Sequence, residues 1–172
     1  SGQAHRNLIS SHNKMDTKMN KILKSTALAA MISAAPLSVL AETSERDLAT
    51  EEANRALVVE FHDQFFNEHN IAASDVIAED YIQHNPNVPD GKAPLVSFFS
   101  GYFAENPESR ARIVRSAADG DLVWLHVQST NGEEDLGEAV VDIFRVEDGM
   151  IVEHWDVIQP VPSEAANSNT MF

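Results

Sequence analysis

The chain has 172 residues, no cysteine, and 27 Asp and Glu against 12 Lys and Arg, a formal charge of −15. That length has room for one ordinary domain, and the lack of cysteine excludes disulfides and thiolate metal sites. So acidic a surface repels phosphate backbones and anionic lipid, so neither nucleic acid nor a membrane surface is an expected partner.

Residues 1–18 show no hydrophobic periodicity, precede the plausible start Met19, and read as a leader outside the fold. Met19 to Lys24 is a short basic start, followed by an uncharged run over residues 25–40 rich in Ala, Leu, Ile and Val, and small residues reach Ala41. This is the pattern of a secretory signal peptide over residues 19–41. The run is shorter than the ~20 apolar residues of a membrane span, so no membrane insertion is expected once the signal is removed. An ordinary N-terminal helix is the alternative, and it accounts less well for charge, length and cleavage chemistry together. The expected location is periplasmic or secreted. From Glu42 onward there are 26 Asp and Glu against 7 Lys and Arg, a formal charge of −19, and residues 42–162 are the expected domain, with a polar, flexible tail over 163–172.

Between Thr50 and His69 the apolar residues Ala53, Leu57, Val58, Phe61 and Phe65 recur at helical spacing, with Thr50 as candidate N-cap. His62 and His69 lie among the acids of this helix and read as solvated. A shorter helix is expected over 72–78, with Tyr81, His84 and Asn85 at its end and a loop from Asn85 to Gly91 enforced by Pro86 and Pro89. A third helix, about 93–104, aligns Leu95, Phe98, Phe99, Tyr102 and Phe103 on one stripe, which reads as core.

From Arg110 the period becomes two, with strands near 110–118, 122–130, 137–146 and 150–159, separated by Asp119-Gly120, Asn131-Gly132 and Asp148-Gly149. Helices followed by such a meander make an α+β fold with helices on one face of an antiparallel sheet. A three-residue turn at Glu147-Asp148-Gly149 would pair Asp142 with His154 and Val140 with Asp156. Asp142, Phe144, His154 and Asp156 then share one face, and Val141, Ile143, Trp155 and Val157 the other. Acids aimed at the helices are costly unless they line a cavity open to water or ligand. That reading makes their face a pocket floor for a small hydrophobic molecule, with the outer face of Val141, Ile143 and Trp155 covered by a second copy in a homodimer. The rival reading buries the apolar face and leaves the Asp/His face in solvent. His126 shares its strand face with Trp124 and Gln128, and both His126 and Trp124 are candidates for the pocket or, alternatively, for ordinary packing. No pair of histidines has the spacing of a zinc-binding helix, so no metal and no cofactor are expected.

The segments Tyr81-Ile82-Gln83-His84-Asn85-Pro86-Asn87-Val88-Pro89-Asp90-Gly91 and Val141 to Val157 resemble the SnoaL-like polyketide cyclases of the nuclear-transport-factor-2-like superfamily, most closely a set described as predicted aldol-condensation enzymes. The resemblance spans about Glu51 to Pro162. It implies a cone-shaped barrel in which a curved antiparallel sheet wraps around N-terminal helices. It also implies that Asp156 matches the general acid/base of an aldol ring closure, while Asp142 stands where those cyclases carry a pocket histidine. On this reading Asp156, Asp142 and His154 are the candidate catalytic residues. Tyr81, His84, Asn85, Trp124, His126 and Phe144 are the candidate substrate contacts. Three functions are compatible with the residues: proton abstraction α to a carbonyl, for aldol-type cyclisation or isomerisation; non-catalytic binding of a hydrophobic metabolite in the same cavity; and a dimeric interaction module.

Overall fold

The computed structural model describes residues 46–172; the leader and signal-peptide readings fall outside the described residues. Among the described residues no helix is long and apolar enough to cross a membrane.

Helix α1 spans Leu48–His62 and is capped by Asp47 rather than Thr50. Asp47 Oδ1 accepts the amides of Ala49 and Thr50 at 3.1 Å each, because a carboxylate both satisfies the free donors and complements the helix dipole. Its last turn widens into a π-helical turn over Asp63–Asn67. There Asn67 pins the helix to the sheet, donating to Ala111 O (3.2 Å) and accepting from Ala111 N–H (2.7 Å). A 3-10 turn, Ile71–Val76, leads into strand β1, Ile77–Gln83. The shorter helical stretch expected at 72–78 is thus a 3-10 helix that ends at Val76, and Tyr81 sits within a strand. Helix α2 spans Lys92–Glu105. Strands β2 (Ser109–Asp119), β3 (Leu122–Asn131), β4 (Glu138–Glu147) and β5 (Met150–Pro160) follow.

The strands form one sheet in the order β1-β5-β4-β3-β2. β2 to β5 are the expected antiparallel meander, but β1 joins β5 in parallel, which makes the curved sheet mixed rather than antiparallel. The core lies between this sheet and the helices. Val58, Phe61 and Phe65 from the α1 region meet Val123, Leu125 and Val127 of β3, Phe144 and Val146 of β4, and Ile151 of β5. Each such side chain contributes about 1.5–3 kcal/mol by leaving water.

The β4–β5 hairpin differs in detail from the three-residue turn. Asp148 (φ 50°) and Gly149 (φ 76°) form a two-residue turn of the left-handed kind that matches strand twist. A bulge then lets β5 run one residue ahead, since Val146 pairs with Ile151 but Arg145 pairs with Glu153. Asp142 therefore faces Asp156, Phe144 faces His154, and Val140 faces Ile158. Relative to the expected ladder the displacement is two residues, and an even displacement leaves every side chain on its expected side.

The Asn131-Gly132 signal marks a longer loop, with Ser129 still paired to Glu138. The Asp135 carboxylate holds it by accepting the amides of Asn131 (2.7 Å) and Gly137 (2.9 Å). Gly137 has φ 72°, and a β-carbon there would stand 2.0 Å from the backbone oxygen of Ser129. Gly137→Ala is expected to destabilise the fold by about 1–3 kcal/mol from the backbone conformation alone, plus the cost of moving β3. Chemical denaturation of the two proteins measures it, and a change within about 0.5 kcal/mol, typical of an innocuous surface site, would contradict it.

Candidate functional site

Strand pleating sorts the side chains. On β1 and its continuation Tyr81, Gln83 and Asn85 point inward, while Ile82 and His84 point out. On β4, Val140, Asp142 and Phe144 point inward, as do His154, Asp156 and Ile158 on β5. Together with the helices they enclose a cavity of about 450 Å³, within the usual range for small-molecule sites. Its apolar wall is Phe61 and Phe66 below and Leu95, Phe98, Phe99, Tyr102 and Phe103 of α2 above. The aromatic stripe of α2 thus serves as cavity wall as well as core: Phe103 is buried, whereas Phe98 is 59% exposed at the mouth. Phe66 meets Phe99 edge-on with ring centres 5.1 Å apart, and Phe65 meets Phe103 likewise at 5.6 Å.

The polar end is a connected set. His154, 8% exposed, contacts Asp142 Oδ1 through Nε2 at 3.0 Å and Gln83 Oε1 through Nδ1 at 3.0 Å. Gln83 Oε1 also accepts the amide of Asn85 (2.9 Å), and Gln83 Nε2 donates to the Tyr81 hydroxyl oxygen (3.3 Å). Asn85 Nδ2 donates to Asp156 Oδ2 at 2.7 Å. Phe144 packs against the His154 ring, centres 4.7 Å apart. Asp142, His154 and Asp156 present oxygen and nitrogen atoms that all lie within 4.8 Å of one another, and among the described residues this is the group compact enough to gather around one ion.

Two further residues belong to this end. Tyr81 is 2% exposed, and burial, reinforced by the charges of Asp142 and Asp156, raises its hydroxyl above the ordinary phenol value, so it stays a donor. His62, read from sequence as solvated, is 2% exposed and lines the cavity, with Nε2 3.9 Å from Asp142 Oδ2. The helical spacing 58-61-62-65 puts it on the buried stripe of α1 and was the available signal. His69 is half-buried too, its ring stacked on Phe103 with centres 4.3 Å apart.

Three expected contacts lie elsewhere. Trp124 and His126 point to the outer face, because Val123, Leu125 and Val127 take the inward positions of β3. His126 Nδ1 accepts from Arg115 at 2.8 Å, and its ring stacks on Phe172 at 5.7 Å between centres. His84 is also outside, stacked on Trp155 at 4.6 Å and bonded to Glu153 at 2.7 Å. Trp155 is thus already covered in part within the chain, by His84 and by Arg145, whose guanidinium carbon lies 5.6 Å from the ring centre.

Burial pushes His62 below the ordinary histidine value, against the pull of Asp142, and its Nδ1 has no hydrogen-bond partner among the described residues. A folded state that resists protonation loses stability as pH falls through the unfolded value of about 6.5. The urea midpoint is therefore expected to drop between about pH 7 and pH 5.5, above the carboxylate range, and to drop less in His62→Phe. Equal slopes for both proteins would contradict it.

Comparison with known proteins agrees with this fold. The model of the SnoaL-like domain matches residues 58–154. No curated protein matches. Among solved structures, a protein assigned as a polyketide cyclase from Acidithiobacillus ferrooxidans is 22% identical with a TM-score of 0.54, covering 62% of this chain and 87% of its own. A protein assigned as a ketosteroid isomerase from Kribbella flavida is 22% identical with a TM-score of 0.53, covering 68% and 85%. A nuclear-transport-factor-2-like protein of unknown function from Mesorhizobium loti is 25% identical with a TM-score of 0.52, covering 63% and 93%. With the matched segment running from α1 to β5 and including Asp142 and His154, the chain belongs to the SnoaL-like domain family.

Proposed function

We propose that the protein is an enzyme that abstracts a proton α to the carbonyl of a small hydrophobic substrate, for aldol-type cyclisation or isomerisation, without a cofactor. The observation that carries this reading is a carboxylate, Asp156, at the polar end of an aromatic-walled cavity, within 4.8 Å of a second carboxylate and an imidazole. Asp156 is the base. Asn85 orients it through the 2.7 Å hydrogen bond, which aims the carboxylate at the cavity. Abstraction moves charge onto the substrate's carbonyl oxygen, the place where most stabilisation is needed. Tyr81 and the Asp142–His154 pair are the groups positioned to meet it. Cyclase and isomerase assignments among the structural relatives are consistent with such chemistry. The same reading includes export to the periplasm, from the character of residues 19–41, and a homodimer through the outer sheet face, where Val141 and Val157 are 40% and 68% exposed.

The test uses 2-tetralone, a bicyclic ketone with enolisable hydrogens, in deuterated water, and 2-naphthol as a mimic of its enol. The protein is expected to accelerate deuterium incorporation into 2-tetralone, and Asp156→Asn to lower that rate about 10²–10⁴-fold. Affinity for 2-naphthol should change less than about threefold, because the substitution removes the base and keeps the walls. Binding of 2-naphthol with exchange no faster than in buffer would replace this reading with that of a non-catalytic binding protein.

A further inference from the structure

The polar end holds a donor–acceptor mismatch that ordinary protonation cannot satisfy. Gln83 Oε1 accepts the backbone amide of Asn85 at 2.9 Å. A main-chain N–H can only donate, so this contact fixes which end of the Gln83 amide is oxygen. The same oxygen lies 3.0 Å from His154 Nδ1, which must therefore carry a hydrogen. A neutral imidazole has one hydrogen only, so Nε2 would be bare, yet it stands 3.0 Å from Asp142 Oδ1. A bare nitrogen facing a carboxylate oxygen is two acceptors in contact, in a site where His154 is 8% exposed and such a conflict is costly. Moving the hydrogen to Nε2 relieves Asp142 and recreates the conflict at Gln83. Both contacts are satisfied only when the pair carries one more proton than a neutral histidine and a carboxylate.

We infer that Gln83 is a positioning residue that holds His154 in its Nδ1–H form, so that Asp142 and His154 share one extra proton in the resting protein and together are the proton donor opposite Asp156. The ionisable groups facing His154 are Asp142 from β4, Asp156 from β5, Tyr81 from β1, and His62 from α1, whose own protonation burial opposes. This inference rests on the proton-abstraction reading for its chemistry. Asp156 takes the α-hydrogen of the substrate as a proton while the bonding pair moves into the carbonyl, and the shared proton passes to the oxygen, giving an enol. Ketone is restored when the pair takes that proton back and Asp156 returns its own to carbon, so charge and hydrogen balance over the cycle.

The test observes the imidazoles directly, by long-range proton–nitrogen correlation on the full chain labelled with ¹⁵N-histidine, with His154 assigned through His154→Gln. Near neutral pH the His154 signals should show Nδ1 protonated and Nε2 either protonated or accepting a strong hydrogen bond. Gln83→Leu should abolish that signature, and Gln83→Glu, whose carboxylate also accepts from Nδ1, should keep it. With 2-tetralone, Gln83→Leu is expected to lower kcat about 10²-fold with KM within about twofold, and Gln83→Glu to restore most of it. A neutral His154 protonated on Nε2 alone in the unsubstituted protein overturns the inference, as does a stoichiometric metal ion found by elemental analysis in place of the proton. Because the nitrogen signals are read without substrate, they decide this point even if 2-tetralone exchange fails and the catalytic reading falls.

Discussion

The structure depends on the pairing register of its last two strands. Asp148 and Gly149, both at positive φ, close β4 onto β5 with two residues, and the bulge after Arg145 advances β5 by one. A sheet has two faces and side chains alternate between them, so a slip of one residue would carry His154 and Asp156 into solvent and bring Trp155 into the cavity. The observed combination keeps two carboxylates and an imidazole on the helix side. β1 then lays Tyr81, Gln83 and Asn85 alongside, and the parallel pairing of β1 with β5 brings His84 N–H to His154 O at 2.9 Å. The cavity's polar end is assembled from segments far apart in sequence by one short turn and one added residue.

Such a group survives burial because its members satisfy each other. Asp142 is covered by His154 on one oxygen and approached by His62 on the other, and Asp156 is held by Asn85. The outer face solves the same problem with solvent-accessible ion pairs. There Glu153 takes hydrogen bonds from His84 and Arg145, and both hold its carboxyl below the usual range. At the start of α1, Glu51 joins Arg46 to the Gly120 amide and so ties the helix to the β2–β3 turn. The aromatic wall carries no such network, and Ser109, Arg110, Ser129 and Glu138 are further polar residues of the cavity lining.

The sequence was most legible where a local period carried the information. The two helices and four meander strands are read from spacing 3.6 or 2 and from Gly-containing turns, and the side assignment of Asp142, Phe144, His154 and Asp156 survives a wrong turn length because the error is even. Strand β1 was not legible. It follows a 3-10 turn, carries the exposed pair Glu79-Asp80, is interrupted by an irregularity between Ile77 and Ile82, and finds its partner far downstream. The alternation that sends Gln83 and Asn85 inward and His84 outward depends on that strand. His62 has acidic neighbours in sequence but shares the buried stripe of Val58, Phe61 and Phe65. His126 faces outward because Leu125 and Val127 on either side of it take the inner positions.

Strand β2 ends the sheet among the described residues, and Asn67 occupies its outer edge at Ala111. The strand also carries Arg110, Arg112 and Arg115, three of the seven basic residues between Glu42 and the C-terminus, and a bulge between Ile113 and Arg115. Arg112 and Arg115 reach back to Gln128 and His126 of β3, and the bulge bends the strand. In a chain otherwise dominated by acids, this concentration of cations and the bend of the strand disfavour its pairing with a further strand.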